Sequence, residues 1–73
     1  MPRYFFHVRD GAESLDHDGV EFSDLNEARG QAVVTAGEAI KDLGVEFWPS
    51  EAWQMWVTDE TGATVYTLSF SGR

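Results

Sequence analysis

Apolar residues recur every three or four positions over residues 24–43, the spacing that places side chains on one side of an α-helix. Either Ser23 or Asp24 can be the N-cap, and Glu27, four residues after Ser23 and three after Asp24, is placed close to a capping box. Gly44 follows as the left-handed residue that ends many helices. The sequence therefore predicts one helix over residues 24–43. The residues assigned to its buried stripe are Leu25, Ala28, Ala32, Val33, Ala36, Ala39, Ile40 and Leu43.

Small residues dominate this stripe, so the helix backbone is expected to approach its neighbour closely. Gly30 and Gly37 each cost about 1 kcal/mol relative to alanine in a helix interior. Close packing against the sheet on that side of the helix is the expected compensation.

Alternating apolar and polar positions predict strands before and after the helix. The predicted strands are residues 3–9, a short irregular strand within residues 12–22, residues 53–59 and residues 63–70. One amphipathic helix can cover one face of a small antiparallel sheet. We therefore expect a single α+β domain over residues 1–73, a two-layer sandwich of order ββαββ.

The net charge of the chain makes some classes of binding partner unfavourable. Thirteen acidic residues against five basic ones give a net charge of −8, which repels nucleic-acid backbones and anionic membrane surfaces. No apolar run approaches the roughly 20 residues that span a bilayer, and the first ten residues lack the apolar stretch of a signal peptide. With no cysteine, disulfides are excluded. The expectation is a cytoplasmic protein that binds neither nucleic acid nor membrane.

The opening M-P-R-Y-F-F-H-V-R-D-G resembles a family of short, mostly alphaproteobacterial proteins grouped as a domain of unknown function, which look like M-P-x-Y-x-F-H-x-x-D-G. Three later motifs of that family are similar to segments here: D-x-x-G-x-E at residues 16–21, A-R-x-x-A at residues 28–32 and V-T-D-E-x-G at residues 57–62. Residues 44–55, rich in Phe and Trp, depart from the pattern. The resemblance implies the same order of elements and brings no catalytic residues, because the family has no established activity.

Enzymatic motifs are missing from the sequence. It has no G-x-S-x-G, no phosphate-binding glycine loop and no cysteine nucleophile. His7 and His17 show no metal-binding spacing, and His7 is expected to pack across strands. A small sheet under one helix is also expected to leave little room for a pocket of about 300 Å³. We expect no enzyme, no catalytic residue and no cofactor.

The acidic segment over residues 10–21 has two interpretations. Asp16, Asp18 and Glu21 could bind a calcium-type metal through carboxylate oxygens. The spacing departs from an EF-hand loop, however, since the third acidic position and the terminal glutamate are missing and the glycine comes early. Asp and Gly are also the residues of ordinary turns, so the bland interpretation is a solvated turn.

An aromatic surplus suggests a contact surface. If alternation holds, one sheet face carries large side chains that the helix cannot cover, and such exposed apolar patches usually mark contacts. The residues assigned to this interface are Phe5, His7, Trp56 and Val65. The alternative is that the loop over residues 45–52 covers this face with Phe47 and Trp48.

These observations predict a small protein-interaction module that self-associates, with a homodimer or another protein as its partner. The alternative function is weak binding of a small ligand or metal by the acidic segment over residues 10–21.

Overall fold

The computed structural model describes residues 2–73 and confirms the α+β fold. Met1, the first residue of the opening motif and of the predicted domain, lies outside the described residues. No helix within residues 2–73 is long and apolar enough to cross a membrane. In chain order the elements are β1 (Arg3–Asp10), β2 (Ala12–Ser14), β3 (Val20–Glu21), α1 (Leu25–Leu43), a 3₁₀ helix (Gly44–Phe47), β4 (Ala52–Thr58) and β5 (Thr64–Ser71).

The strands form one antiparallel sheet in the order β2-β1-β4-β5, and β3 also pairs with β1. The single irregular strand predicted within residues 12–22 is therefore two short strands, β2 and β3. Both lie on the same side of β1, and a loop over residues 15–19 separates them. The pairing is interrupted there because the Asp16 carboxylate, instead of a strand, accepts the Phe6 backbone N–H at 3.1 Å.

The predicted helix start and stop are confirmed. Asp24 Oδ1 accepts the Glu27 backbone N–H at 2.8 Å, and Glu27 Oε1 in turn accepts the Ser23 backbone N–H at 3.1 Å. These two bonds satisfy donors that the first turn of a helix leaves free. Gly44 follows with φ 51°, a conformation that glycine adopts without the steric cost a Cβ would add.

The core lies between α1 and the inner sheet face. Ala28 and Ala32 are fully buried against a sheet surface that includes Met55 and Val57, and α1 packs on both β4 and β5. Phe47 is also buried in this core, with its ring centroid 5.1 Å from that of Phe70. It therefore extends the core under α1 and does not cover the outer sheet face.

Two expectations about the helix are wrong. Val33 was assigned to the buried stripe, yet it is 59% exposed, because the side of α1 that faces the sheet is narrower than the apolar pattern. Gly30 and Gly37 were expected to pack closely, but a Cβ at either position would meet nothing within 4 Å. Their cost to the helix is therefore not offset by packing within the chain.

Val65 does not follow the simple alternation along β5. Opposite Val57 and Thr58 the pairing shifts register, which is the mark of a β-bulge. A bulge interrupts the alternation of side chains between the two faces. Val65 accordingly packs against the hydrophobic core, whereas the sequence pattern had assigned it to the outer face.

Candidate functional site

Two candidate surfaces follow from the fold, and the first is the outer sheet face that the sequence predicted. Its centre is a pair of neighbours on adjacent strands, His7 on β1 and Trp56 on β4, whose ring centroids are 5.2 Å apart. Arg9 extends over the same indole, with its guanidinium carbon 5.8 Å from the ring centroid. His7, Arg9 and Trp56 thus form one stacked group, and Trp56 is half-buried within it.

His7 is held by hydrogen bonds through both ring nitrogens. The Asp16 backbone N–H donates to Nδ1 at 3.1 Å, and Nε2 lies 2.9 Å from Thr58 Oγ1. Because Nδ1 accepts, the proton of the neutral ring is assigned to Nε2, which donates to the threonine hydroxyl. His7 therefore joins the loop over residues 15–19 to the sheet, in agreement with its predicted role as a cross-strand packer.

The same loop covers Phe5, the remaining aromatic residue assigned to the interface. Gly19 lies so close to the ring that a Cβ there would come within 2.8 Å of Phe5 Cε2, and its φ of 70° favours glycine as well. Arg3 closes the other side, since its guanidinium donates to the Asp18 carbonyl oxygen at 2.8 Å and to Glu21 Oε1 at 2.9 Å. Phe5 is consequently half-buried under its own chain.

Asp16 is the central acceptor of this loop. Besides the Phe6 N–H, its carboxylate accepts the backbone N–H groups of Asp18 and Gly19, each at 3.1 Å. Partial burial would raise the pKa of Asp16, but these three hydrogen bonds and the proximity of His7 hold it below its ordinary value. The carboxylate thus replaces a missing segment of strand beside β1.

The three residues assigned to a metal site are engaged in different ways. Asp16 binds backbone donors, Glu21 pairs with Arg3, and the Asp18 carbonyl oxygen accepts from the same arginine. No group of three or more His, Cys, Asp or Glu side chains in residues 2–73 is arranged to hold a metal ion. The geometry of the loop is that of a turn closed by hydrogen bonds.

Asp59, in the turn between β4 and β5, is a second carboxylate that accepts several hydrogen bonds. Its Oδ1 accepts the Thr61 hydroxyl at 2.6 Å and the Thr61 and Ala63 backbone N–H groups at 2.9 and 3.1 Å. The Thr61 hydroxyl and N–H contribute most to lowering the pKa of Asp59. Asp59 therefore has a clear structural role in shaping the hairpin.

A recess of about 400 Å³ lies where β4 and β5 meet the segment after the 3₁₀ helix. Its polar lining comes from Arg9, Gln54 and the hydroxyls of Ser50, Ser69 and Ser71. This volume falls within the range of small-molecule sites. The expectation that the fold leaves little room for a pocket of about 300 Å³ is therefore wrong. The lining could offer hydrogen bonds and one positive charge to a ligand.

The second candidate surface was missed by the sequence analysis. It is a groove between α1 and β5, here called the α1–β5 groove, of about 160 Å³. Its lining is mostly apolar and includes Val33, Ala36, Gly37, Ile40, Leu68 and Phe70, with Ser69 as its one polar side chain. Val33 is 59% and Phe70 47% exposed, whereas Phe5 and Trp56 are half-buried. The signal available in the sequence was the pair of interior helix glycines with no evident partner.

The fold and these surfaces define a small α+β domain with a single helix on an antiparallel sheet. Residues 3–71 match the domain of unknown function DUF6894, and the chain belongs to that family. The family resemblance expected from the opening motif is thus confirmed. No curated protein and no solved structure matches the chain.

Proposed function

We propose that this protein is a small interaction module that works as a homodimer and buries the α1–β5 side of the molecule. The observation that carries the proposal is the groove itself, which Val33 and Phe70 both line with exposed apolar side chains. Contiguous exposed apolar patches usually mark a contact surface. The outer face is the weaker candidate, because its own loop and hydrogen bonds cover part of Phe5 and His7.

The size and shape of the molecule support burial of further surface. Its accessible area is 4932 Å², against about 4,500 Å² for a compact monomer of 8.2 kDa. The radius of gyration is 12.5 Å, against about 11 Å for a compact chain of this length. A short chain without disulfides gains stability when a partner buries such excess area.

The first test is the mass of the protein in sedimentation. We expect the wild type to be dimeric at tens of micromolar in about 150 mM salt. Association should become tighter as salt is added, because salt screens the repulsion between two subunits that each carry a net charge of −8. Val33→Glu should be monomeric, because the dimer would bury an unpaired charge. Its helical circular dichroism should stay close to wild type, since Val33 is mostly exposed in the single chain.

Val45→Glu is the matched control for this variant. Val45 is 80% exposed on the 3₁₀ helix and does not line the α1–β5 groove, so this substitution adds the same charge elsewhere. It should leave the dimer intact. A monomeric wild type, or a Val33→Glu variant that still dimerises like Val45→Glu, would contradict the proposal.

We also expect no binding to nucleic acid. Of the basic side chains, Arg3 and Arg9 pair with Glu21 and Glu13, and Arg29 lies over the Tyr66 ring. The net charge of −8 also repels a phosphate backbone. A fluorescence-anisotropy titration at low salt should show no micromolar binding to duplex DNA or single-stranded RNA; saturable binding would overturn this expectation.

Binding of a small ligand is the second candidate function, and the recess beside Arg9 is the observation that favours it. The two functions differ in what raises the melting temperature. A dimer melts higher as protein concentration rises, whereas a binder melts higher as its ligand is added. Thermal melts against protein concentration, then against calcium, zinc and EDTA, and finally against a panel of small anions, separate the two.

A further inference from the structure

The open edge of β5 is the feature from which a geometry for the dimer can be derived. Within residues 2–73, β5 pairs with β4 on one side and is the last strand of the sheet on the other. It has eight residues with no charge and no proline. Such a strand presents a row of unpaired backbone N–H and C=O groups, which natural proteins normally shield from pairing with another chain.

The opposite edge of the sheet is shielded in just this way. There β1 pairs with β2, of three residues, and β3, of two residues, each of which carries a glutamate. The loop over residues 15–19 interrupts the edge between them. Short, charged and interrupted strands resist pairing. The two edges of one sheet therefore differ sharply, and β5 is the edge left ready to pair.

Charge does not oppose contact at β5. All thirteen acidic residues lie before residue 61, although the chain as a whole carries a net charge of −8. Because β5 itself carries no charged side chain, two β5 strands can pair without placing carboxylates opposite one another along the strands. This is what a second copy of the same chain requires of an interface.

The helix beside β5 presents a matching surface. Val33 and Gly37, four residues apart on α1, both line the α1–β5 groove; Val33 is 59% exposed, and a Cβ at Gly37 would meet nothing within 4 Å. Glycines on a helix surface allow another backbone to approach closely. Close approach of the other helix at Gly37 would then compensate for the low helix propensity of this glycine.

We propose that two copies pair β5 with β5 antiparallel about a twofold axis perpendicular to the sheet, so that α1 packs against α1 of the other copy across Val33 and Gly37. This deepens the proposed function and rests on it. Antiparallel edge pairing requires that axis, and the axis places both helices on the same face of one continuous sheet. The partner's helix then closes the α1–β5 groove.

Distances between the elements agree with this arrangement. Because α1 contacts both β4 and β5, we place its axis over the line between these two strands. That line is one strand spacing, about 4.8 Å, from the line midway between two paired β5 strands. The two helix axes would therefore lie about 10 Å apart, within the range for packed helices.

The chain has no cysteine, so single-cysteine variants give a clean test. Cysteines replace Thr67, Ser69 or Ser71 on β5, all exposed, and each variant is treated with a bis-maleimide that spans about 8 Å, the distance between diagonal neighbours on paired strands. We expect strong dimer cross-linking at one or two of the three positions. Val33→Cys should cross-link as well, because the two helices are in contact.

Gln54→Cys is the matched control. Gln54 pairs with Ser69 in the β4–β5 register, so it lies at the same level of the sheet but one strand further in. In the proposed dimer its two copies are three strand spacings apart, about 14 Å, and should not cross-link. A sedimentation dimer in which Gln54→Cys cross-links, or in which no β5 cysteine does, would overturn this geometry alone. A monomeric wild type would overturn the proposed function with it.

Discussion

Trp53→Ala is expected to lower the free energy of unfolding by about 3–5 kcal/mol, most of the stability that a domain of this size has. Trp53 is 3% exposed and belongs to the core cluster. It lies on β4, the strand that α1 covers, directly opposite Phe70 in the register. Truncation would leave a cavity that the flanking β-structure cannot close, so both the transfer free energy and the packing are lost.

Trp48→Ala is the control, because it removes the same side chain from a position that is 52% exposed. It should cost less than about 1 kcal/mol. Urea denaturation at one fixed protein concentration compares the variants. If Trp53→Ala does not fold, Trp53→Phe, which keeps an aromatic ring, supplies a measurable intermediate loss. Similar losses for Trp48→Ala and Trp53→Ala would contradict the assignment of the core.

Local patterns in the sequence were sufficient to predict the helix, the three long strands and the fold class. The helix signals at Asp24, Glu27 and Gly44 depend only on neighbours in the chain, and the structure confirms each of them. Alternation likewise identified β1, β4 and β5. The order of strands in the sheet depends on contacts between distant residues, so it could not be predicted from these patterns.

The candidate surfaces were harder to predict for the same reason. The α1–β5 groove exists because β5 is an edge strand, and the sequence does not state which strand lies at the edge. Val33 fits the apolar period of the helix as well as Ala32 does, yet only one of them faces the sheet. Val65 does not lie on the outer face because the β4–β5 pairing shifts register beside it, and no residue type in this segment predicts that shift.

The segment around Asp16 was identified in the sequence, but its structural role was only partly predicted. The segment around Asp16 was expected to be either a solvated turn or a metal loop. In the structure it is a turn whose carboxylate binds backbone donors from β1 as well as from its own loop. The bond to the Phe6 N–H joins residues ten positions apart, so turn statistics alone could not reveal it.

Asp16→Ala is expected to cost about 2 kcal/mol near neutral pH, because the Phe6 N–H loses its acceptor beside a half-buried strand and the loop loses two further bonds. Asp18→Ala is the matched control in the same loop. The bonds recorded for Asp18 use its backbone, so this substitution should change the free energy of unfolding by less than about 0.5 kcal/mol. Equal effects of the two substitutions would contradict the role assigned to Asp16.

The difference between wild type and Asp16→Ala should also depend on pH. Folding lowers the pKa of Asp16, since the hydrogen bonds from Gly19, Phe6 and Asp18 outweigh the opposing effect of burial. Its ionised form therefore stabilises the fold fully above the unfolded pKa, about 3.9, and this stabilisation disappears as the pH falls through the lower folded value. Denaturation at pH 7 and near pH 3 should show the two proteins converging in acid. A difference that stays constant or grows as the pH falls would show that the carboxylate charge does not hold this loop against β1.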